Sequence, residues 1–463
     1  MTGRGGRGAR RPARGSNASR GKPPVAAARA ATPHSPTARY VALDVITRVI
    51  EEGAYSNLAL ARTIERAGLD RRDATLASEL AYGTIRRKIS LDHALGPLLD
   101  RPIETAPKAA RSLVRLGAYQ LLFTRIPTHA AVSATVELAD ARHRGFVNAV
   151  LRRLSSDGVR WPNGDDDDAI AVRTGLASWA VRELRRQLDD ETEAAATALA
   201  TSARTTIRTN TCRTTTDELE RILRDVGIGV ERGTVHPDSL VISSGAPASL
   251  PGFEEGSFAV QDQASSFVVG ALDPTQGERV LDACAGPGGK AAHAACLVQP
   301  RGELVAADAN ASRARLVAST LQRLRVEGRV LVQDARRPAL AATFDAVLVD
   351  APCSGLGSAR RRPELLWRPE KDELSSLARL QVAIVAGVAD VVRGGGRIVY
   401  SVCTFPRAET DAACDAILRH RPDLEPLELR GPNGPAARIR LWPHRDGCDA
   451  MFVAGFRRRM TPH

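Results

Sequence analysis

Four aspartates and two cysteines carry the chemistry this 463-residue sequence can support. Asp282, Asp308, Asp334 and Asp350 each follow, at once or after one residue, a short apolar run of strand character. The runs are Arg279 to Leu281, Leu304 to Ala307, Arg329 to Val332 and Ala346 to Val349. The carboxyl ends of parallel strands share one edge, so the four carboxylates are expected around one crevice suited to a nucleotide-like ligand. Asp308, 26 residues after Asp282, is placed to accept both hydroxyls of a ribose, and an adenine-sized slot is expected beside Asp334. Helix capping accounts for any one Asp, but less easily for four in succession. Cys353 and Cys403 lie in loops after predicted strands, where a thiolate can act as a nucleophile. A free cysteine is also commonly an inert core residue, and residue type does not rank the two.

Between the first two aspartates stands Cys284-Ala285-Gly286-Pro287-Gly288-Gly289-Lys290. Its glycines permit tight backbone conformations and close ligand approach, and a helix starting near Lys290 would aim free N–H groups at the crevice. The pattern is neither Gly-x-Gly-x-x-Gly nor a P-loop, which lowers the odds of NAD binding or NTP hydrolysis. The seven cysteines (212, 284, 296, 353, 403, 414 and 448) are scattered and lack Cys-x-x-Cys spacing. Neither a disulfide scaffold nor a structural zinc is expected, and no metal is assigned.

The elements that must position these groups follow from periodicity. Residues 38–156 carry successive amphipathic helical patterns separated by short polar or proline-containing breaks, which predicts an all-helical domain. Asp165 to Asp168 reads as an acidic surface linker. Residues 169–250 mix helical and strand patterns and read as a connecting α/β subdomain. Residues 251–460 alternate short apolar runs with helical stretches, adding strands at Arg397 to Tyr400 and Met451 to Gly455. That alternation predicts a Rossmann-like α/β domain with a mostly parallel sheet and helices on both faces.

The net charge of +12 is unevenly spread, because residues 1–43 hold eight Arg and Lys22 and no acid. A tail over residues 1–37, rich in Gly, Ala and Pro, is expected to be disordered and suits a polyanion such as RNA. A solubilising extension is the plainer account of it. No run approaches the ~18 uninterrupted apolar residues of a membrane span, so no membrane association is expected. The N-terminus lacks a secretory pattern, and a cytoplasmic protein is expected.

Longer motifs bring a family into view. Leu281 to Lys290, then Asp350-Ala351-Pro352-Cys353-Ser354-Gly355, then Tyr400-Ser401-Val402-Cys403-Thr404 with Pro406 and Glu409, resemble the motifs of the RNA 5-methylcytosine methyltransferases. Glu79 to Gly83, Ala118 to Leu122, Ile126 to Val132 and Phe146 to Arg152 resemble the NusB-like domain of a bacterial branch that acts on 16S ribosomal RNA. The resemblance runs from about Ala38 to Arg457, with Val402 where the family usually has Thr and Thr410 where it usually has Asn. It implies S-adenosylmethionine held by Cys284 to Lys290, Asp308, Asp334 and Asp350, and 16S ribosomal RNA as the partner. Carbon 5 of cytosine is a poor nucleophile until a thiolate adds to carbon 6, so the chemistry needs an activated cysteine. The resemblance implies Cys403 as that nucleophile, Cys353 in product release and Asp350 on the cytosine edge. DNA cytosine methyltransferases use the Pro-Cys cysteine instead, which keeps Cys353 as a rival. Arg360, Arg361 and Arg362 read as phosphate-binding charge and Trp367 as a stacking surface. An RNA-binding assembly or transcription factor with an inactive methyltransferase fold is the alternative function.

Overall fold

The structure, a computed structural model, describes residues 37–340 and 343–460. The expectation for residues 1–37 therefore lies, apart from Thr37, outside the described residues. Helices Ala38–Glu52, Ser56–Ala67, Arg71–Arg86, Lys88–Leu95, Lys108–Phe123, Thr128–Glu137 and Arg144–Asp157 form the first unit. Thr37 and Asp70 cap two of them with side-chain oxygens, and Gly53 and Gly68 end two in the left-handed region. Val45, Ile46 and Val49 are fully buried against Leu80, Leu113 and Leu116, and Val41, at helical spacing from Val45, is buried against Ala77. Gly83 is required by contact: a Cβ there would lie 1.9 Å from the Tyr119 ring. The Tyr119 hydroxyl donates to Glu79 at 2.6 Å, so two of the helical motifs are each other's packing partners.

Three further helices, Asp167–Thr174, Ser178–Leu188 and Thr192–Leu199, follow. The acidic stretch expected as a surface linker is instead a helix start, since Asp166 accepts N–H bonds from Asp168 and Ala169. The apolar sides of these helices meet Leu356, Leu365, Leu366, Phe405 and Trp442, which belong to the loops of the last domain. A small antiparallel sheet comes next, with β1 (Thr205–Thr209), β2 (Val230–Arg232), β3 (Ser239–Ile242) and β4 (Phe258–Val260) in the order β2-β3-β1-β4. Helix Thr216–Asp225 packs on it through Leu219 and Leu223.

The last domain holds β5 (Arg279–Asp282), β6 (Glu303–Asp308), β7 (Arg329–Val332), β8 (Phe344–Asp350), β9 (Val392–Val402), β10 (Leu424–Leu427), β11 (Leu429–Gly431), β12 (Gly434–Ala436), β13 (Arg438–Leu441) and β14 (Met451–Arg458). The main sheet runs β10-β14-β9-β8-β5-β6-β7, with β13 also on β14 and with β9, β8, β5, β6 and β7 parallel. This is the mostly parallel, two-faced α/β layout that the alternation predicts. Helices Gln263–Leu272 and Gly289–Val298 cover one face, and Leu374–Val388 covers the other. Residues Glu373–Val391 are apolar and long enough to cross a bilayer, yet Ile384, Val385, Val388 and Val391 are packed into the sheet core. One finding departs from the cysteine expectation. Cys212, after β1, is disulfide-bonded to Cys296 on helix Gly289–Val298, from 84 residues away. So large a separation leaves no spacing signal.

Candidate active site

The sheet order sets the edge. β8, β5, β6 and β7 are neighbours in that order, so the aspartates at or just past their carboxyl ends stand in a row. A cavity of about 250 Å³ opens there, lined by Asp282, Gly286, Lys290, Asp350, Arg361 and Asp449 among others. Cys284, Ala285, Pro287 and Gly289 also face it. Asp282 is buried, and neither of its carboxylate oxygens has a hydrogen-bond partner. Burial first, then the Asp350 charge, push its pKa up to about 7 against the pull of Lys290.

The other two acids are held differently. Asp308 is buried and accepts the Gly286 N–H at 3.1 Å and the Asn310 N–H at 2.8 Å, tying the glycine loop to the end of β6. A Cβ on Gly286 would lie 2.6 Å from Asp308 Oδ2. Gly288 has φ +109° and begins helix Gly289–Val298, and a Cβ there would strike Thr320 at 2.9 Å. Asp334 points its carboxylate at Arg336, which donates from its backbone, Nε and Nη2, and it does not line the cavity. Turn-capping bonds thus account for part of Asp308 and Asp334, but not for Asp282 or Asp350.

Lys290 and Asp350 join the cavity to the cysteines. Lys290 Nζ donates to Asp350 Oδ2 at 2.7 Å, and Ser401 Oγ donates to Asp350 Oδ1 at 2.9 Å. Burial pulls the Lys290 ammonium down, but the Asp350 carboxylate more than offsets it, so the amine stays charged. Cys353 and Cys403, each half-buried, have their sulfurs 3.5 Å apart. Their protons are shared unequally. The hydrogen bond shared with Cys353, helped by the Arg362 and Lys290 charges, lowers Cys403 against burial and the Asp350 carboxylate. Cys353 is raised by the same bond, by burial and by the nearby carboxylates. The pair therefore favours a thiolate on Cys403 and a thiol on Cys353.

A methyl donor with a sulfonium and an ammonium, as S-adenosylmethionine has, fits these residues. Two unpartnered carboxylate oxygens on Asp282 suit a cation, and Gly286 keeps the wall beside Asp308 open.

Several side chains do not take the places expected of them. Arg360 donates to the Gly447 and Cys448 carbonyls, and Arg361 bridges Asp262 and Asp449. Trp367 donates its indole N–H to the Ile85 carbonyl at 2.8 Å and packs in the contact with the helical unit, so it is an anchor and not a free stacking surface. Conversely, Asp262 and Asp449 gave no sequence signal, because folding alone brings them to the cavity from separate segments. Among the described residues, His236, Asp238 and His293 bring potential metal-ligand atoms within 4.8 Å of one another. Burial and the adjacent Arg208 guanidinium hold both imidazoles neutral, and that same guanidinium would oppose a cation.

Comparison with known proteins fits this layout. The family model "16S rRNA methyltransferase RsmB/F" matches residues 269–457, "NusB family" matches 36–156, and the ferredoxin-like domain of RsmF/B-like methyltransferases matches 176–249. The chain is 34% identical over 444 residues to the probable ribosomal RNA small subunit methyltransferase B of Bacillus subtilis (strain 168), covering 91% of this chain and 98% of that one. It is 33% identical over 430 residues to ribosomal RNA small subunit methyltransferase B of Xanthomonas campestris pv. campestris, covering 90% and 96%. The crystal structure of PH0851 superposes with a TM-score of 0.77 at 23% identity, over 90% of this chain and 98% of that one, and so shares the fold.

Proposed function

The chain belongs to the RsmB/F family of 16S rRNA methyltransferases, and from that premise we propose that it methylates carbon 5 of a cytosine in 16S ribosomal RNA through a covalent cysteine adduct. The methyl donor of the family is S-adenosylmethionine, which supplies an electrophilic methyl group when bound. Asp282, Asp308 and the loop from Cys284 to Lys290 would hold it. Asp334, paired with Arg336, would have to turn inward to take part.

The observation that carries the reading is the thiol pair beside the charged pair. Cys403, biased toward thiolate, adds to carbon 6 of the ring. Carbon 5 becomes nucleophilic as the ring's electrons shift toward the carbonyl and ring nitrogen, where Lys290 and Asp350 can handle charge and hydrogen bonding. Carbon 5 takes the methyl group as the donor's sulfonium becomes a neutral thioether; a base then removes the carbon 5 proton, the electrons of that C–H bond form the carbon 5–carbon 6 double bond, and Cys403 leaves as the thiolate. Cys353, 3.5 Å away, serves this release by hydrogen-bonding the departing sulfur. The target base must leave its stack to reach so recessed a pair. We assign the helical unit over 38–156, with the basic residues 1–37, to RNA binding, 169–250 to a connecting subdomain and 251–460 to catalysis. Bisulfite sequencing of 16S ribosomal RNA from a deletion strain tests the reading. One cytosine should lose its protection and regain it with the wild-type gene but not with Cys403→Ala; unchanged protection in the deletion strain refutes it.

A further inference from the structure

Behind the two thiols lies a carboxylate to which the covalent reading gives no task. Glu409 is fully buried in the loop after Cys403. Its Oε1 accepts the Ser354 N–H at 2.9 Å and the Gln381 amide at 3.0 Å, and its Oε2 accepts the Ser354 hydroxyl at 2.6 Å. Ser354 directly follows Cys353. The Ser354 hydroxyl oxygen also lies 2.7 Å from that of Thr404, which directly follows Cys403. Gln381, on helix Leu374–Val388, donates to the carbonyl of Pro352, the residue before Cys353, at 2.9 Å. The Tyr400 hydroxyl completes the network, 3.0 Å from Gln381 Oε1 and 2.6 Å from the Glu409 carbonyl.

The network spans a place where the sheet gives little support. The β8–β9 ladder ends at Asp350 and Ser401, and β14 still pairs Val402, so Cys403 stands one residue beyond the sheet and Cys353 three residues beyond it on a separate loop. Their 3.5 Å separation depends on where each loop is held, and a misplacement of about 1 Å can cost roughly a hundredfold in rate. Burying a carboxylate is costly unless its oxygens are well partnered, and here both are. We propose that Glu409 is a positioning residue for methyl transfer, which holds Cys353 and Cys403 at thiol contact distance through Ser354, Thr404 and Gln381. The inference rests on the two-cysteine reading.

Phenylarsine oxide tests the geometry apart from the chemistry. It bonds two neighbouring thiols to one arsenic with release of one water, with no change of oxidation state. Full-length wild-type protein should take up one equivalent at the peptides holding Cys353 and Cys403. Glu409→Ala should capture the arsenical at least about tenfold less tightly and turn over roughly a hundredfold more slowly. Its KM for RNA and its affinity for S-adenosylmethionine should stay within about twofold. Glu409→Gln, whose amide oxygen still accepts the Ser354 N–H, should recover part of both losses. If Glu409→Ala does not fold, Ser354→Ala removes the hydroxyl shared by Glu409 and Thr404 and should show the same paired losses. A folded Glu409→Ala or Ser354→Ala protein with wild-type capture and turnover overturns the proposal, as does a loss confined to KM or cofactor affinity. Methylation retained by Cys403→Ala would instead remove the two-cysteine reading, while arsenical capture would still report on Glu409.

Discussion

The roles proposed for Cys403 and Cys353 give the two residues opposite signatures when each is removed. Cys403→Ala should abolish both methylation and any covalent RNA adduct, since no thiolate remains to activate the ring. Cys353→Ala keeps the attacker and impairs release, so methylated RNA should stay joined to the protein as a slow band on a denaturing gel. The reverse pattern would assign the attack to Cys353. Asp282 makes a prediction about pH. Its folded-state pKa of about 7 lies above the ordinary value of 3.8, so the fold holds the proton more tightly than the unfolded chain does. Its contribution to stability is complete below about pH 4 and lost as pH rises through about 7, a change of up to roughly 4 kcal/mol. Asp282→Asn removes that dependence. Calorimetric melts of cofactor-free protein should show the variant gaining on wild type between pH 5 and pH 8. A gap that does not change with pH would show that burial and the Asp350 charge do not outweigh Lys290 at Asp282.

At the scale of elements, the glycine loop lies against the end of β6 and its following helix through contacts that leave no room for a side chain. Gly286→Ala would drive its Cβ against Asp308 and the Arg313 stem, at 2.6 and 2.7 Å. Overpacking of this kind costs about 1–3 kcal/mol, so affinity for S-adenosylmethionine should fall roughly tenfold to a hundredfold by titration calorimetry. Binding equal to wild type would remove this loop from the cofactor site. Much of this level was legible in the sequence. The runs at Arg279, Arg329 and Met451 each mark a strand start, and the parallel neighbours β8, β5, β6 and β7 set their aspartates along one sheet edge, though only Asp282 and Asp350 line the cavity there. The elements that left no signal are short or broken. β10 to β13 are three or four residues each, contain proline or glycine in three cases, and exist because β14 or a neighbouring strand offers an edge. Helix Asp167–Thr174 was hidden because its first turn is acidic, which favours the positive end of a helix but reads as a solvated loop.

Across the whole molecule, the segment after Cys353 is where the catalytic domain meets the helical unit. Glu364, fully buried, accepts the Ser56 N–H at 3.2 Å, and Arg368 donates to the Val49 and Ala54 carbonyls at 2.8 and 2.9 Å. Arg86 returns the contact with a bond to the Arg360 carbonyl at 3.1 Å, and the Trp367 indole reaches Ile85 across 282 residues of sequence. Local pattern could not show this. An arginine run with a tryptophan behind it has the composition of an RNA-contacting loop, and only the partner surface, supplied from far along the chain, reveals a docking strap. The first of these contacts, at Arg360, comes seven residues after Cys353, so docking of the helical unit and placement of the Cys353 loop are joined through one short segment. Trp367→Ala should remove about 3 kcal/mol from the contact, typical of a truncated core aromatic. In calorimetry the helical unit should then melt as a separate, earlier transition. Affinity for S-adenosylmethionine should be kept, because Trp367 does not line the cavity, while methylation of 16S ribosomal RNA should fall at least about tenfold as the loop loses its anchor. A single cooperative melt with undiminished methylation would mean that the two units are held together elsewhere and that the strap does not carry position to the thiols.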